Sequence, residues 1–282
     1  MHETPNDANA NFLCSQVRNA FGDHSSPPWL AEKAVRLAPN VARYHRQLAE
    51  VQGVMAQHAG VLQQLLLARR FRKEIDTTLE LDPKDVQASR DLLEFYLLAP
   101  GLAGGDPAKA DSMARRIGMI DAAEGFLARA RIASFHQDYR QTEAMLKLAS
   151  GVRPQSYKAQ IELAQFYLDR EHPKEWAVEA LGRSALLLDS GRIDAYCVLA
   201  ALYAGRKDWG SLEGVLSSAA GAVPDDMAPS YRAAERLLSD EPGRAERYLR
   251  SYLAQEPEGN EPSAVDARRK LNAIAARNGG AN

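Results

Sequence analysis

Residues 157–167 read YKAQIELAQFY, residues 193–203 read IDAYCVLAALY and residues 86–96 read VQASRDLLEFY. In each stretch a leucine is followed directly by alanine or leucine, and a tyrosine stands four positions after the first leucine. These spacings place large, small and aromatic side chains on one side of a helix. A fourth copy at residues 48–52 has glutamine in place of the tyrosine. The chain therefore repeats one helical packing unit, in which a small residue lets a second helix approach closely.

Each repeated stretch begins after a helix that ends in a similar way. The ends fall at residues 39, 83, 122, 154, 190, 224 and 257. Several of them are prolines, which cannot continue a helix. The later ends are separated by 36, 34 and 33 residues, close to the period of about 34 residues of a helix–turn–helix repeat. The longer early spacings indicate insertions, and the pattern as a whole predicts about seven repeats.

Two further stretches carry a resemblance to a known family: FYLLAPGLAGGDPAKA at residues 95–110 and RAERYLRSYLAQEPEGN at residues 244–260. Together with the repeat, which covers roughly residues 10–276, they resemble an uncharacterised bacterial group within the tetratricopeptide repeat (TPR) superfamily. The chain departs from the general pattern at Ala122 and Ser190, which replace the terminal proline. The first helices also lack its tryptophan. The resemblance implies an all-α, right-handed α-α superhelix, a solenoid of helix-turn-helix repeats with a C-terminal capping helix.

The repeat and the helix-start signals predict where the helices lie. The expected pairs are 8–21 with 28–38, 42–57 with 61–81, 85–98 with 107–119, 124–135 with 139–151, 156–169 with 174–188, 192–204 with 209–221, and 228–239 with 243–255. A last helix over 262–276 would cap the stack. Ser26 before Pro27, and Asp106 before Pro107, provide helix-capping side chains. We predict a single solenoid domain over residues 1–282, with repeats over 8–257 and a capping helix and tail over 258–282.

Charge and hydropathy narrow the classes of partner. The 282-residue chain has a formal net charge of −2 and a pI of about 6.3. Nucleic-acid binding draws on a basic surface, so no nucleic-acid partner is expected. No apolar run reaches the length of a membrane span, so no membrane insertion is expected. Residues 1–11 are polar and lack the build of a signal peptide. We expect a cytoplasmic protein, or a periplasmic one if a signal peptide has been removed.

No motif in the sequence carries catalytic chemistry. The loop at residues 99–106, APGLAGGD, lacks the Gly-Lys-Ser/Thr ending of a phosphate loop and follows a helix instead of a strand. We interpret it as an extended turn, with contact to a partner as the alternative. The six histidines lack metal-site spacing, and Cys14 and Cys197 are expected to be ordinary packed thiols. The tyrosines of the repeat, together with Trp209, are expected in the core. The chain is predicted not to be an enzyme and to need no cofactor or metal.

A concave groove is the predicted binding surface, because in such stacks the first helix of each pair lines it. The positions two before and two after the repeat leucine are expected to point into it, with two basic residues one turn earlier. The candidate partner-binding residues are Arg43, Arg46, Glu50, Arg90, Glu94, Lys158, Gln165 and Tyr231. The amino-terminal half of the groove would then be polar and partly basic, and the carboxy-terminal half more apolar.

These residues allow two interpretations. The arginines could clamp an acidic or carboxylate-ended peptide through charge-assisted hydrogen bonds. Alternatively, Arg46 with Glu50, and Arg90 with Glu94, form i,i+4 surface pairs that only support their own helices. The function expected is a non-catalytic scaffold that binds a peptide or protein segment in its groove. The alternatives are an accessory subunit of an enzyme, a helical repeat that binds a small ligand, and a self-assembling homo-oligomer.

Overall fold

A computed structural model describes residues 6–20, 28–152, 156–254 and 262–279. These residues form fifteen α-helices and no strand. The helices are α1 (Ala8–Ala20), α2 (Trp29–Leu37), α3 (Ala42–Gln57), α4 (Val61–Leu81), α5 (Val86–Leu98), α6 (Pro107–Ile120), α7 (Ala122–Phe135), α8 (Tyr139–Val152), α9 (Tyr157–Leu168), α10 (Glu175–Leu188), α11 (Ile193–Arg206), α12 (Trp209–Ala222), α13 (Ala228–Leu237), α14 (Pro242–Leu253) and α15 (Ala264–Gly279).

The predicted all-helical fold is confirmed. Every predicted helix is present, with ends within three residues of the expected positions. Helix α6 begins at Pro107, and the Asp106 carboxylate accepts a hydrogen bond from the Ala108 N–H at 3.2 Å, as the capping signal predicts. The predicted Ser26–Pro27 cap lies outside the described residues, as do residues 258–261 and 280–282 of the predicted carboxy-terminal segment.

The chain divides into two compact units, residues 1–152 and 153–282. In the amino-terminal unit α1 pairs with α2, α3 with α4, α5 with α6, and α7 with α8. In the carboxy-terminal unit α9 pairs with α10, α11 with α12, and α13 with α14, while α15 packs on α14. First helices also contact one another within each unit, as α5 does with α7 and α11 with α13. The single solenoid domain stays a prediction.

The repeated leucine, small residue and aromatic residue form the core, as their spacing predicts. Leu199, Ala200 and Tyr203 are all buried, and the corresponding residues in α3, α5 and α9 are buried too. Alanine at the small position is fully covered because the neighbouring helix lies directly against it. Gln52, which takes the tyrosine position in α3, is buried as well. Trp209 is the exception: its ring is only half-buried, beneath the guanidinium of Arg244 at 4.0 Å.

The connection between α6 and α7 is a single residue, Asp121. Its carboxylate accepts hydrogen bonds from the Ala123 and Glu124 N–H groups at 2.9 and 3.2 Å, which caps α7. The turn can be this tight because Gly118 and Gly125 face each other. A Cβ atom on Gly125 would lie 2.3 Å from the Gly118 Cα. Capping by Asp121 explains why this repeat needs no proline at its end.

Candidate functional site

The amino-terminal unit contains an open groove of about 780 Å³ between α3, α4 and α5. We call it the amino-terminal groove. Its lining is Arg46, Glu50, Gly53, Val54, Ala56, Gln57, Gln64, Ala68, Phe71, Gln87, Asp91, Glu94, Phe95, Leu98, Ala99 and Pro100. Three of the predicted groove residues, Arg46, Glu50 and Glu94, are therefore in the lining.

Part of the lining of the amino-terminal groove is acidic. Glu50, Asp91 and Glu94 lie there, and Arg46 is the only basic residue among the described lining residues. Burial raises the pKa of the Asp91 carboxyl to about 6, although the Gln87 amide donates a hydrogen bond to it at 2.8 Å. Asp91 is still mostly ionised at neutral pH. The groove thus holds a poorly solvated negative charge, which favours a positively charged ligand.

Another part of the lining of the amino-terminal groove is apolar. The rings of Phe71 and Phe95 are stacked with their centroids 5.8 Å apart, and Val54 and Pro100 lie beside them. Leu98 is 63% exposed even though it belongs to a helix whose other leucines are buried. Phe95 is itself buried, so Leu98 is the large apolar side chain that this part of the lining leaves exposed.

The amino-terminal half of the groove was expected to be polar and partly basic; its lining is polar, but of the three expected arginines only Arg46 is among the described lining residues. Arg43 donates to the Asn9 amide oxygen at 3.0 Å and lies over the Phe12 ring, so it packs on α1. Arg90 forms an ion pair with Glu124 of α7 at 2.8 Å, outside the groove lining. The reason is long-range: a carboxylate 34 residues further along the chain draws the Arg90 guanidinium away from the groove.

The remaining predicted charges are also held by neighbouring helices. Arg46 Nε lies 3.3 Å from Asp85 Oδ2, an ion pair without hydrogen-bond geometry. Glu94 receives two hydrogen bonds from Arg131 of α7, both at 2.7 Å. Because these pairs join separate helices, they replace the interpretation that the arginines serve i,i+4 pairs within one helix. These ion pairs connect successive repeats.

The carboxy-terminal unit contains a second open groove of about 710 Å³. We call it the carboxy-terminal groove. Its lining is Ile161, Glu162, Gln165, Leu168, Asp169, Ile193, Asp194, Cys197, Val198, Ala201, Asp226, Ala228, Arg232, Glu235, Arg236 and Pro262. The expectation that this half is more apolar is wrong, since five carboxylates and two arginines line it.

An ion pair joins two helices that line the carboxy-terminal groove. Arg236 of α13 reaches Asp169 at the end of α9 at 3.1 Å, and Gln165 donates to the same carboxylate at 2.8 Å. Cys197 lies in this lining, and burial raises the pKa of its thiol to about 12. A thiol with that pKa stays protonated at neutral pH and is a poor nucleophile. Both cysteines are free, as expected.

The placement of Tyr231 in the groove is wrong. Its side chain is 3% exposed, its ring packs on Tyr252 at 5.3 Å, and its hydroxyl donates to Asp266 of α15. It belongs to the interface that holds the last helix, because α15 occupies the side on which a further first helix would lie. Lys158 is half-buried on α9 and is not among the described lining residues of the carboxy-terminal groove.

The loop at residues 99–106 forms one edge of the amino-terminal groove through Ala99 and Pro100. Gly104 adopts a φ of 104°, and a Cβ on Gly105 would lie 1.8 Å from the Ala99 carbonyl oxygen. Only glycine fits such a tight reversal. The Leu102 carbonyl accepts a hydrogen bond from Arg69 of α4 at 3.0 Å, which anchors the loop. The glycines therefore shape a turn beside the groove.

Sequence reasoning missed Asp91, the groove carboxylate with the shifted pKa. It lies four residues after Gln87 and seven before Leu98, and all three line the groove. Residues at these spacings share one face of a helix. The helical period could therefore have identified this face, had it been counted from the exposed leucine instead of the repeat leucine.

The described residues contain no group of three His, Cys, Asp or Glu side chains placed to hold a metal ion. Within the same residues, no helix combines the length and the apolar composition that crossing a bilayer requires.

Solved structures share this fold at low sequence identity. Human IFIT1, in a dimer with PPP-AAAA, matches with a TM-score of 0.57 and 11% identity, over 96% of this chain and 64% of its own. Yeast Tom70 matches with a TM-score of 0.56 and 12% identity, over 98% and 66%. The APC/C hetero-tetramer Cut9–Hcn1 matches with a TM-score of 0.51 and 14% identity, over 96% and 50%.

These matches define the class of fold. Tom70 and Cut9 are TPR-repeat proteins, and this chain shares their all-helical fold of paired α-helices. The chain spans about half to two thirds of the length of these three proteins. Neither a protein-family model nor a curated protein sequence matches it.

Proposed function

We propose that this chain is a non-catalytic scaffold that binds a peptide segment of another protein in the amino-terminal groove. One observation carries the proposal: the groove combines an exposed leucine, Leu98, with the carboxylates of Glu50 and Asp91, whose hydrogen-bond partners are neutral amides, in a single open cavity of about 780 Å³. An apolar contact and fixed charges in one concave surface are what a specific ligand site requires. TPR folds commonly serve as interaction scaffolds, which agrees with this interpretation.

The groove chemistry favours a peptide over the alternatives. An enzyme would need several catalytic groups converging on one point. In the amino-terminal groove Arg46 and Glu94 are engaged with other helices, which leaves the carboxylates of Glu50 and Asp91 without a Ser, Cys, His, Lys or Tyr among the described lining residues to complete a catalytic set. A phosphate backbone would be repelled by Glu50 and Asp91, which argues against a nucleic-acid ligand.

To test this proposal, a displayed library of random peptides is selected for binding to the immobilised intact chain. We expect a shared motif to be enriched, and its synthetic form to bind the parent chain. Binding should be lost in Glu50→Lys/Leu98→Asn. It should persist in Glu80→Lys/Leu187→Asn, which makes the same changes at exposed residues outside the groove. Absence of any enriched motif, or equal binding by both double variants, would overturn the proposal.

A second candidate function, self-association, is favoured by the start of α4. Val61 and Leu62 are 83% and 82% exposed, and Leu66 is 57% exposed. Three apolar side chains so close together are unusual on a surface that faces only water. The last helix, by contrast, exposes Arg268 and Arg269 beside Val265, and so offers a mostly polar face.

A further inference from the structure

We infer that the amino-terminal groove takes an extended peptide segment in which a lysine or arginine is followed three residues later by a large apolar residue. This inference rests on the proposed function, since it names the chemistry of the ligand for the same groove.

The charge of the amino-terminal groove favours a cationic group in the ligand. Glu94 is neutralised by the two hydrogen bonds from Arg131. Glu50 and Asp91 instead have neutral partners: the Asn19 amide donates to Glu50 at 3.0 Å, and the Gln87 amide donates to Asp91 at 2.8 Å. An amide positions a carboxylate without cancelling its charge. These two carboxylates therefore attract a cation from a ligand.

Leu98 provides an apolar contact at a fixed distance from Asp91. Leu98 follows Asp91 by seven residues on α5, which is almost two full turns. Both side chains therefore lie on one face of the helix, about 10 Å apart along its axis. An extended peptide in the polyproline II conformation rises about 3.1 Å per residue and has three residues per turn, so side chains three residues apart lie on the same side, about 9 Å from each other. A cationic side chain at Asp91 thus places the side chain three residues later at Leu98.

The backbone of a bound peptide also needs hydrogen-bond partners in the groove. An extended segment brings N–H and C=O groups that need hydrogen-bond partners when they leave water. Gln57, Gln64 and Gln87 all line the groove. A side-chain amide can both donate and accept, so glutamines suit a backbone whose groups alternate along the groove. The Gln87 amide already donates to Asp91, so Gln57 and Gln64 are the lining amides available to the backbone of a peptide.

The experiment measures binding of fluorescein-labelled decapeptides to the intact chain by fluorescence anisotropy at pH 7.5. The reference peptide carries Lys-Ser-Ser-Leu in a Gly/Ser sequence. Its controls are Glu-Ser-Ser-Leu, which inverts the charge, and Ser-Lys-Leu-Ser, which keeps the composition but removes the spacing. We expect both controls to bind at least about tenfold more weakly, the loss of one good contact.

Chain variants assign the contacts. Glu50→Gln/Asp91→Asn should weaken the lysine peptide about tenfold and leave its glutamate control unchanged or improved. Glu80→Gln, which removes an exposed carboxylate outside the groove, should bind like the parent. Circular dichroism would establish that each variant keeps the helical content of the parent.

The outcomes separate this inference from the proposed function. If the glutamate peptide binds as well as the lysine peptide, and Leu98→Asn weakens both, the groove binds peptides but the cationic motif is wrong. Equal binding of the two lysine peptides would overturn the spacing. Unchanged binding in Glu50→Gln/Asp91→Asn would overturn the assigned contacts. If the decapeptides fail and random peptide selection also finds no ligand, the proposed function fails as well.

Discussion

The hydroxyl of Tyr157 accepts a hydrogen bond from the backbone N–H of Ala195 at 3.0 Å, and it donates to the carbonyl oxygen of Arg192 at 3.3 Å. Ala195 lies in the first turn of α11, whose N-cap residue, Arg192, makes no side-chain cap. The first turn of any helix has N–H groups without partners inside the helix. In this protein a tyrosine from the preceding repeat supplies one partner, so α9 caps α11 across the repeat boundary.

Tyr157→Phe should therefore destabilise the carboxy-terminal unit. The change leaves the Ala195 N–H buried without a partner, which costs about 1–3 kcal/mol. Hydrogen-exchange mass spectrometry should show faster exchange at the start of α11. Tyr139→Phe is the control, because the Tyr139 side chain is 51% exposed and water can replace the bonds of its hydroxyl. Equal effects of the two substitutions would contradict capping across the repeats.

Gly125→Ala should destabilise the amino-terminal unit by about 2 kcal/mol or more, as overpacking does in a close contact. The added Cβ would meet the Gly118 Cα at 2.3 Å and its nitrogen at 2.8 Å, and backbone atoms cannot rotate away. Gly151→Ala in the same unit has open space around its Cβ and should be neutral or slightly stabilising. Urea denaturation of both variants tests this, and an unchanged stability of Gly125→Ala would show that α6 and α7 can separate at little cost.

Asp91→Asn should stabilise the protein at pH 7 and have little effect at pH 4. Burial raises the pKa of Asp91 to about 6 in the folded chain, against 3.8 for an ordinary aspartate. The folded state thus binds more protons than the unfolded state between these values, and this contribution to stability is lost as pH rises through 6. Asparagine does not ionise, so the variant avoids this loss. Its free energy of unfolding at pH 7 should be about 1–3 kcal/mol higher than that of the parent.

Urea denaturation of parent and variant at pH 4, 5, 6 and 7 measures the difference. The groups around Asp91 that affect its charge are Arg46 and Glu50 on α3, and Asp85 and Gln87 at the start of α5. Glu80→Gln controls for the loss of one exposed carboxylate. A stability difference that does not grow with pH would show that Asp91 is well solvated. The same titration should weaken binding of the lysine peptide as pH falls from 7 to 5.

Leu62→Glu should reduce self-association. The exposed apolar start of α4 is expected to bring copies together as protein concentration rises, and a charge in its centre opposes this contact. Light scattering after size-exclusion chromatography measures the mass of the parent and the variant. Leu187→Glu changes a leucine that is 90% exposed on α10 and should leave the mass unchanged. A parent that is monomeric at every concentration would rule out this second function.

The helices were predictable because their limits depend on nearby residues. Asp106 and Pro107 start α6 in the expected way, and the leucine and tyrosine spacing placed Leu199 and Tyr203 in the core. The lining positions of α3 also followed from this register, since Arg46 and Glu50 border the groove. Each of these inferences needs only the helical period and the neighbours within one or two turns.

The charge of the groove was not predictable in the same way. Arg90 was expected in the groove, but Glu124 holds it outside. Tyr231 was expected on the surface, but Asp266 and Tyr252 bury it. Such partners lie roughly one repeat further along the chain, and their positions depend on how two helices pack.

The sequence by itself determined an all-helical chain of paired helices with a repeated core, because cap residues, stop residues and apolar spacing act over a few residues. Only the tertiary structure decided that the amino-terminal groove is acidic beside an exposed leucine. That outcome depends on which guanidinium meets which carboxylate between helices, and it left Glu50 and Asp91 with neutral amide partners.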